Sequence, residues 1–175
     1  MSQNNIPTNL IKLGSGDINQ PKYGFKAKGL DLASSKNILV PNGYLVPHEL
    51  LSFLETNKKK KNTLIKEIQT FFKIPNIAIR SAFSVEDQKE NSFAGVFDTV
   101  LSVDKNDPEE IINGLKLVLK SSRNYKNKLR QDILIMEMVK AKYSGVAFTE
   151  SQYEDDRINW TEGIASKLVS GEISG

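Results

Sequence analysis

Residues 77–103 read IAIRSAFSVEDQKENSFAGVFDTVLSV. An apolar strand, Ile77 to Ile79, runs into Arg80, whose guanidinium can leave the core there and fork onto a phosphate. A polar loop over 82–92 follows and closes through Ser92-Phe93-Ala94-Gly95. Small residues in such a turn let backbone N–H groups approach an anion closely. A second strand, Gly95 to Val103, puts Gly95, Phe97, Thr99, Leu101 and Val103 on one face, because side chains alternate along a strand. Thr99 then carries its hydroxyl on the side of the Gly95 opening. Two readings stay open from these residues alone. One is a glycine-containing loop that folds over a phosphate-bearing ligand; the other is an ordinary polar hairpin connection.

Mixed elements surround this stretch. Residues 26–35 (KAKGLDLASS) read as a short helix, and 38–46 as a strand interrupted by the turn signal Pro41-Asn42-Gly43. Pro47 opens a helix bearing Leu50, Leu51, Phe53 and Leu54. From about Asn62 to Phe72, Leu64, Ile65, Ile68, Phe71 and Phe72 fall on one helical face, and Pro75 ends the segment. The best-marked helix starts at Asp107, a candidate N-cap, with Pro108 at N1 and Glu109 and Glu110 at the positive end of the dipole. Ile111, Ile112, Leu115, Val118 and Leu119 form its stripe. Asp132 to Val139 and Ser144 to Thr149 read as two strands of a hairpin around Ala141-Lys142-Tyr143. Trp160 to Gly175 suggests a strand and a short helix. Several successive strands have no helix between them, which predicts an α+β fold with mixed or antiparallel sheets and flanking helices.

Composition narrows the function classes. The 175 residues suffice for one domain with a real core. They are 39% hydrophobic and 26% charged, as in soluble globular proteins. No apolar run reaches the roughly 20 residues of a membrane span. Met1 to Asn9 lacks the order of a signal peptide, and residues 1–10 read as a loose terminus. The absence of cysteine excludes disulfides and thiol chemistry and suits a cytoplasmic setting. A net charge of +3 is too small to imply nucleic acid. Lys58 to Lys61 has no interleaved aromatics and reads as a solvated connection or helix start. His48, the single histidine, reads as a surface or capping residue.

The stretch resembles the signature of the pyruvate phosphate dikinase N-terminal domain, also found in phosphoenolpyruvate synthase. Arg80, Ser81, Glu86, Asp87, Glu90, Ser92, Phe93, Ala94, Gly95, Asp98 and Thr99 match it without a gap. Further segments agree in order. Ala27 to Ala33 is similar to a GGKGANLA motif, and Val40 to Val46 to VPPGFVIT. Glu137-Met138-Val139 with Ser144 to Thr149 is similar to QxMV and SGVAFT, and Gly163 to Gly171 to GLGExLVSG.

The resemblance implies an ATP-grasp fold binding ATP with Mg²⁺. Residues 1–175 would form an incomplete ATP-grasp domain, truncated on its C-terminal side. Lys28 and Arg80 would hold phosphates, Gly95 would line the phosphate loop, and Thr99 would hydrogen-bond the phosphates. Met136, Glu137 and Val139 would lie along the adenine. Glu86, Asp87 and Glu90 would be structural or gating. No residue here is assigned catalysis or metal ligation, because the family's metal-binding acids come later. The phosphohistidine domain and the barrel handling pyruvate and phosphoenolpyruvate would also lie outside this chain.

Several positions depart from the family pattern. Lys26 and Ala27 stand where it has two glycines, Ala82 where it has serine, Met136 where it commonly has glutamine, and Ala165 and Ser166 where it has Gly and Glu. The resemblance implies the ATP-binding part of a dikinase-type phosphotransferase, most simply a phosphoenolpyruvate synthase. Alternatives are a degenerate or regulatory nucleotide-binding module, or the front domain of a pyruvate phosphate dikinase or antibiotic phosphotransferase.

Overall fold

A computed structural model describes residues 10–84, 99–122, 130–148, 157–165 and 168. It is an α+β structure in two units, Met1–Met138 and Val139–Gly175. In chain order the first unit contains β1 (Ile11–Lys12), α1 (Phe25–Ser35), β2 (Gly43–Val46), α2 (His48–Leu51), α3 (Lys58–Phe71), β3 (Asn76–Ser81), β4 (Thr99–Asp104), α4 (Pro108–Ser121) and β5 (Ile133–Glu137). The second unit contains β6 (Tyr143–Phe148) and β7 (Arg157–Glu162).

The run Ile133-Leu134-Ile135-Met136 decides the sheet. All four side chains are buried, although they point alternately to opposite faces. Such a strand needs cover on both faces and neighbours on both edges. β5 therefore lies inside an antiparallel sheet ordered β1-β2-β5-β3-β4. The expected hairpin between 132–139 and 144–149 does not form. Both edges of β5 are taken by β2 and β3, and β6 pairs antiparallel with β7 instead. The expected strand over 38–46 is shortened to Gly43–Val46, leaving Ile38 and Leu39 exposed.

One face of the sheet is covered by α2, α3 and α4. Ile77, Ile79, Ile133 and Ile135 pack there with Leu64, Ile65, Ile68, Ile111, Leu115 and Val118. Most of the helical stripes read from periodicity are buried, but Phe71 is 36% exposed, Phe72 lies just past the end of α3, and Ile112 and Leu119 are partly buried. Asn57 caps α3, its side chain accepting from the Lys60 N–H at 3.0 Å, so Lys58 to Lys61 form the first turn of that helix. Asp107 caps α4, accepting from the Glu109 and Glu110 N–H groups at 2.7 and 3.3 Å. Leu10, expected in a loose terminus, belongs to this core. The opposite face carries α1 and the chain before it. Leu13, Ile18, Tyr23 and Ala27 cover Leu45, Leu134 and Met136.

The alternation expected along 95–103 breaks inside β4. Ile77 pairs with Val103 and Ile79 with Val100, so three steps on β4 oppose two on β3. Ser102, at φ 58°, sits at this bulge. Val103 is buried while Leu101 is 41% exposed, so Thr99 and Leu101 do not share the Val103 face.

In the second unit Tyr143 and Trp160 meet edge to face, with centroids 5.5 Å apart. Gly145 lies so close to β7 that a Cβ there would sit 2.5 Å from the Asn159 carbonyl oxygen. No helix among the described residues is long and apolar enough to cross a membrane.

Candidate nucleotide site

β3 delivers Arg80 to the sheet face that α1 covers. The bulge places Thr99 directly opposite Arg80 on one side, and Leu134 of β5 is opposite on the other. Directly opposed residues of antiparallel strands project to the same face. The guanidinium and the Thr99 hydroxyl therefore share a face, although the simple alternation over 95–103 did not anticipate how. Arg80 is half-buried, and its Nε is buried without a hydrogen-bond partner among the described residues. An unsatisfied buried donor is costly, and an incoming anionic oxygen would relieve that cost.

α1 begins beside the chain that leaves β3. Gly24, its N-cap, approaches residues 82 and 83 so closely that a Cβ would lie 2.6 Å from the Phe83 carbonyl oxygen. No side chain caps the helix, and its first turn has no acidic residue. Lys26 and Lys28 stand in that first turn, next to the positive end of the dipole. The Lys28 ammonium lies 4.7 Å from the Phe25 ring centroid. Lys26 reaches further toward β3, its Nζ donating to the Ser81 carbonyl oxygen at 3.3 Å. Sequence reasoning counted Lys26 only as a lost glycine; the fold puts its ammonium beside Arg80 in the chain.

Met136 shares the Arg80 face and is buried there, so its thioether packs in the core. Glu137 points to the other face. Its carboxylate accepts from the Lys73 N–H at 3.1 Å and the Asn42 Nδ2 at 3.5 Å, and its own N–H donates to the Asn42 carbonyl at 2.9 Å. Burial, and then the nearby Glu137 charge, push the Tyr44 phenol above its usual range. The Met138 N–H donates to Asn76. The backbone edge of β5 is thus occupied. Val139, which opens the second unit, is 58% exposed and offers its carbonyl to Ala141 at 3.0 Å. Gly95, Glu86, Asp87 and Glu90 lie outside the described residues. No group of three or more potential metal-ligating side chains occurs among the described residues.

A groove of about 780 Å³ lies elsewhere, between the α2–α3 connection and α4. The Lys116–Glu55 pair at 3.8 Å is in its lining, and its walls belong to the three-helix face, remote from Arg80.

The family described as "Pyruvate phosphate dikinase, AMP/ATP-binding domain" matches residues 58–174. This chain belongs to that family. The AMP/ATP-binding domain is also similar to a phosphoenolpyruvate synthase of Aeropyrum pernix. The two are 30% identical over 118 residues, covering 57% of this chain and 14% of the relative. The chain thus spans about one-seventh of that relative's length. The ATP-grasp-like α+β class agrees with this membership, and nucleotide binding is the shared property of the family. β3, β4 and β5 fall inside the matched span, whereas α1 and Lys28 precede it.

Proposed function

We propose that this chain supplies the phosphate-gripping side of an ATP site in a dikinase-type phosphotransferase. The carrying observation is the register that sets Arg80 opposite Thr99 on the sheet face covered by α1. Arg80 and Lys28 would hold the terminal phosphates, Gly95 would line the loop over them, and Thr99 would donate its hydroxyl. Met136 would pack near the base, and Glu137 and Val139 would bound the adenine end. Mg²⁺ would neutralise the phosphate charge during transfer. The simplest whole reaction is that of a phosphoenolpyruvate synthase: ATP, pyruvate and water give phosphoenolpyruvate, AMP and phosphate. A cytoplasmic protein with its pyruvate-handling and phosphohistidine domains outside residues 1–175 fits this reading. Residues 1–175 alone are expected to turn over no ATP.

The test is calorimetric titration of Mg-ATP into the full-length protein. Micromolar binding that falls roughly ten- to hundredfold in Arg80→Ala supports the reading, the size of a lost charge-assisted contact. Absence of ATP binding by the unsubstituted protein would sink it. A second reading, a degenerate or regulatory nucleotide module, is favoured by Lys26 and Ala27 replacing two glycines. Binding without any pyruvate-dependent AMP formation would select it.

A further inference from the structure

The proposed phosphate ligands sit on separate segments, and a largely buried network joins those segments. Arg130 lies just before β5. Its guanidinium donates to both carboxylate oxygens of Glu49 on α2, at 2.6 and 2.8 Å, and to Asp132 at 2.9 Å. It also lies 5.0 Å from the ring centroid of Tyr23, which is buried and immediately precedes Gly24 at the start of α1. The main chain continues the connection. The Arg130 carbonyl accepts from the Ser84 N–H at 3.2 Å, and the Asp132 carbonyl accepts from the Ala82 N–H at 3.0 Å. The wholly buried Asp132 carboxylate also accepts from the His48 N–H at 2.9 Å.

Arg130 and Glu49 support each other's charge, whereas the Asp132 charge is opposed by burial. Burial opposes the Arg130 charge, yet Glu49 and Asp132 hold the guanidinium above its ordinary value. The Arg130 hydrogen bond draws Glu49 down to about 2. Burial pushes the Asp132 carboxyl up, against the pull of the His48 N–H and Arg130.

We propose that Arg130 is a positioning residue for the phosphate end of the site, holding the start of α1 and the chain leaving β3 in one fixed relation. The proposal rests on the nucleotide reading above. Arg80 is two residues before Ala82, and Lys28 is one helical turn beyond Gly24. Neither segment is tied to the other by a short connection along the chain; the Arg130 network joins them, together with the Gly24–Phe83 approach and the Lys26–Ser81 hydrogen bond. A displacement near 1 Å at a ligand-gripping group can cost up to about a hundredfold in function, so a loosened frame should be felt at the phosphates. Lysine cannot replace the fork, because one ammonium cannot bridge Glu49 and Asp132 in the same plane while stacking on Tyr23.

The test uses Arg130→Lys in the full-length protein, with folding checked by circular dichroism. Mg-ATP and adenosine are titrated separately. ATP affinity is expected to fall about tenfold or more while adenosine affinity stays within about twofold, because only the phosphate end is displaced. Hydrogen exchange at the Ala82 and Ser84 amides is expected to accelerate about tenfold or more. Equal losses for ATP and adenosine, or an unchanged ATP affinity in the folded variant, would overturn the proposal. Should Arg130→Lys not fold, Glu49→Gln carries the same comparison with about a threefold expected loss, since it keeps the shape and removes the charge. If the unsubstituted protein binds no ATP, the nucleotide reading fails by itself. The exchange rates then decide whether Arg130 fixes these segments, and unchanged protection at Ala82 and Ser84 would refute that.

Discussion

The two faces of the five-stranded sheet are built to different rules. The face under α2, α3 and α4 is continuous aliphatic packing, with Ile77, Ile79, Ile133 and Ile135 wholly buried against helical stripes. The face under α1 also has a core, around Leu45, Leu134 and Met136, but it ends at Arg80, whose buried Nε has no partner among the described residues. α1 itself begins with two lysines and no cap. Both faces bury side-chain polar atoms that lack a partner among the described residues, His48 Nδ1 on α2 and Glu67 Oε2 on α3 among them; of these atoms only the Arg80 Nε belongs to a guanidinium. A partly buried guanidinium at the end of an apolar strand is the kind of local exception that functional sites carry.

The sharpest way to break this contrast is to cut into each face. Leu115→Ala on the helical face should destabilise the domain by about 2–5 kcal/mol in urea unfolding and leave per-molecule ATP affinity unchanged where the protein is folded. Arg80→Ala should do the reverse, changing stability by less than about 1 kcal/mol, because it also removes an unsatisfied buried donor. If both variants lose stability alike, the division between faces is wrong. A smaller effect comes from Gly24→Ala. Its new Cβ would fall 2.6 Å from a backbone oxygen that cannot swing away, so α1 must shift. We expect a loss of about 1–3 kcal/mol together with weakened ATP binding. Retained affinity in that variant would show that the placement of α1 does not matter. Asp107→Ala, on the helical face and far from Arg80, should cost about 1 kcal/mol through the lost α4 cap and leave binding untouched.

How legible each face was in the sequence follows the same division. The α3 and α4 stripes and the Asp107-Pro108 start repeat at helical spacing, so neighbouring residues carry the signal. Arg80 stood out because a cation ended an apolar run. The pairing of β5 was misread, because a short apolar run does not say whether its neighbours are near or far in sequence. β2 and β3 won both edges through burial on both faces, not through proximity. The bulge at Ser102 left no mark that alternation could detect. Nothing in the local sequence pattern joins Arg130, Asp132 and Glu49, and Asp132 reads only as the start of a strand. Arg130 and Glu49 are 81 residues apart, and a long-range ion pair has no period. A hint was present in Arg130-Gln131-Asp132, two charges set against the most apolar strand in the chain. His48, read as a surface or capping residue, is half-buried, its Nδ1 has no partner among the described residues, and its N–H is capped from outside the helix by Asp132.

The weakest expected effect tests the tie between the faces, since the Arg130 network touches α2 on one side and the lead-in to α1 on the other. Glu49 is held down to about 2, chiefly by its hydrogen bond to Arg130, against an ordinary value of 4.5. A depressed carboxylate contributes stability that is fully present above its unfolded value and is lost as pH falls toward its folded one. The Glu49 contribution should therefore be constant from neutral pH down to about 5, then vanish between about 4.5 and 2. Its side chain is 39% exposed, so solvent screening keeps the contribution below about 1 kcal/mol. Asp132 complicates the raw curve, because burial raises it and its own titration has the opposite sign. The informative quantity is the difference in urea midpoint between the unsubstituted protein and Glu49→Gln at matched pH, where the burial-driven part of the Asp132 titration is common to both and only the smaller rise due to the Glu49 charge differs. That difference should be present at pH 6 and shrink toward zero near pH 2.5. A gap that stays constant across the range would mean that Glu49 acts through shape alone and that its charge does not hold the two faces together.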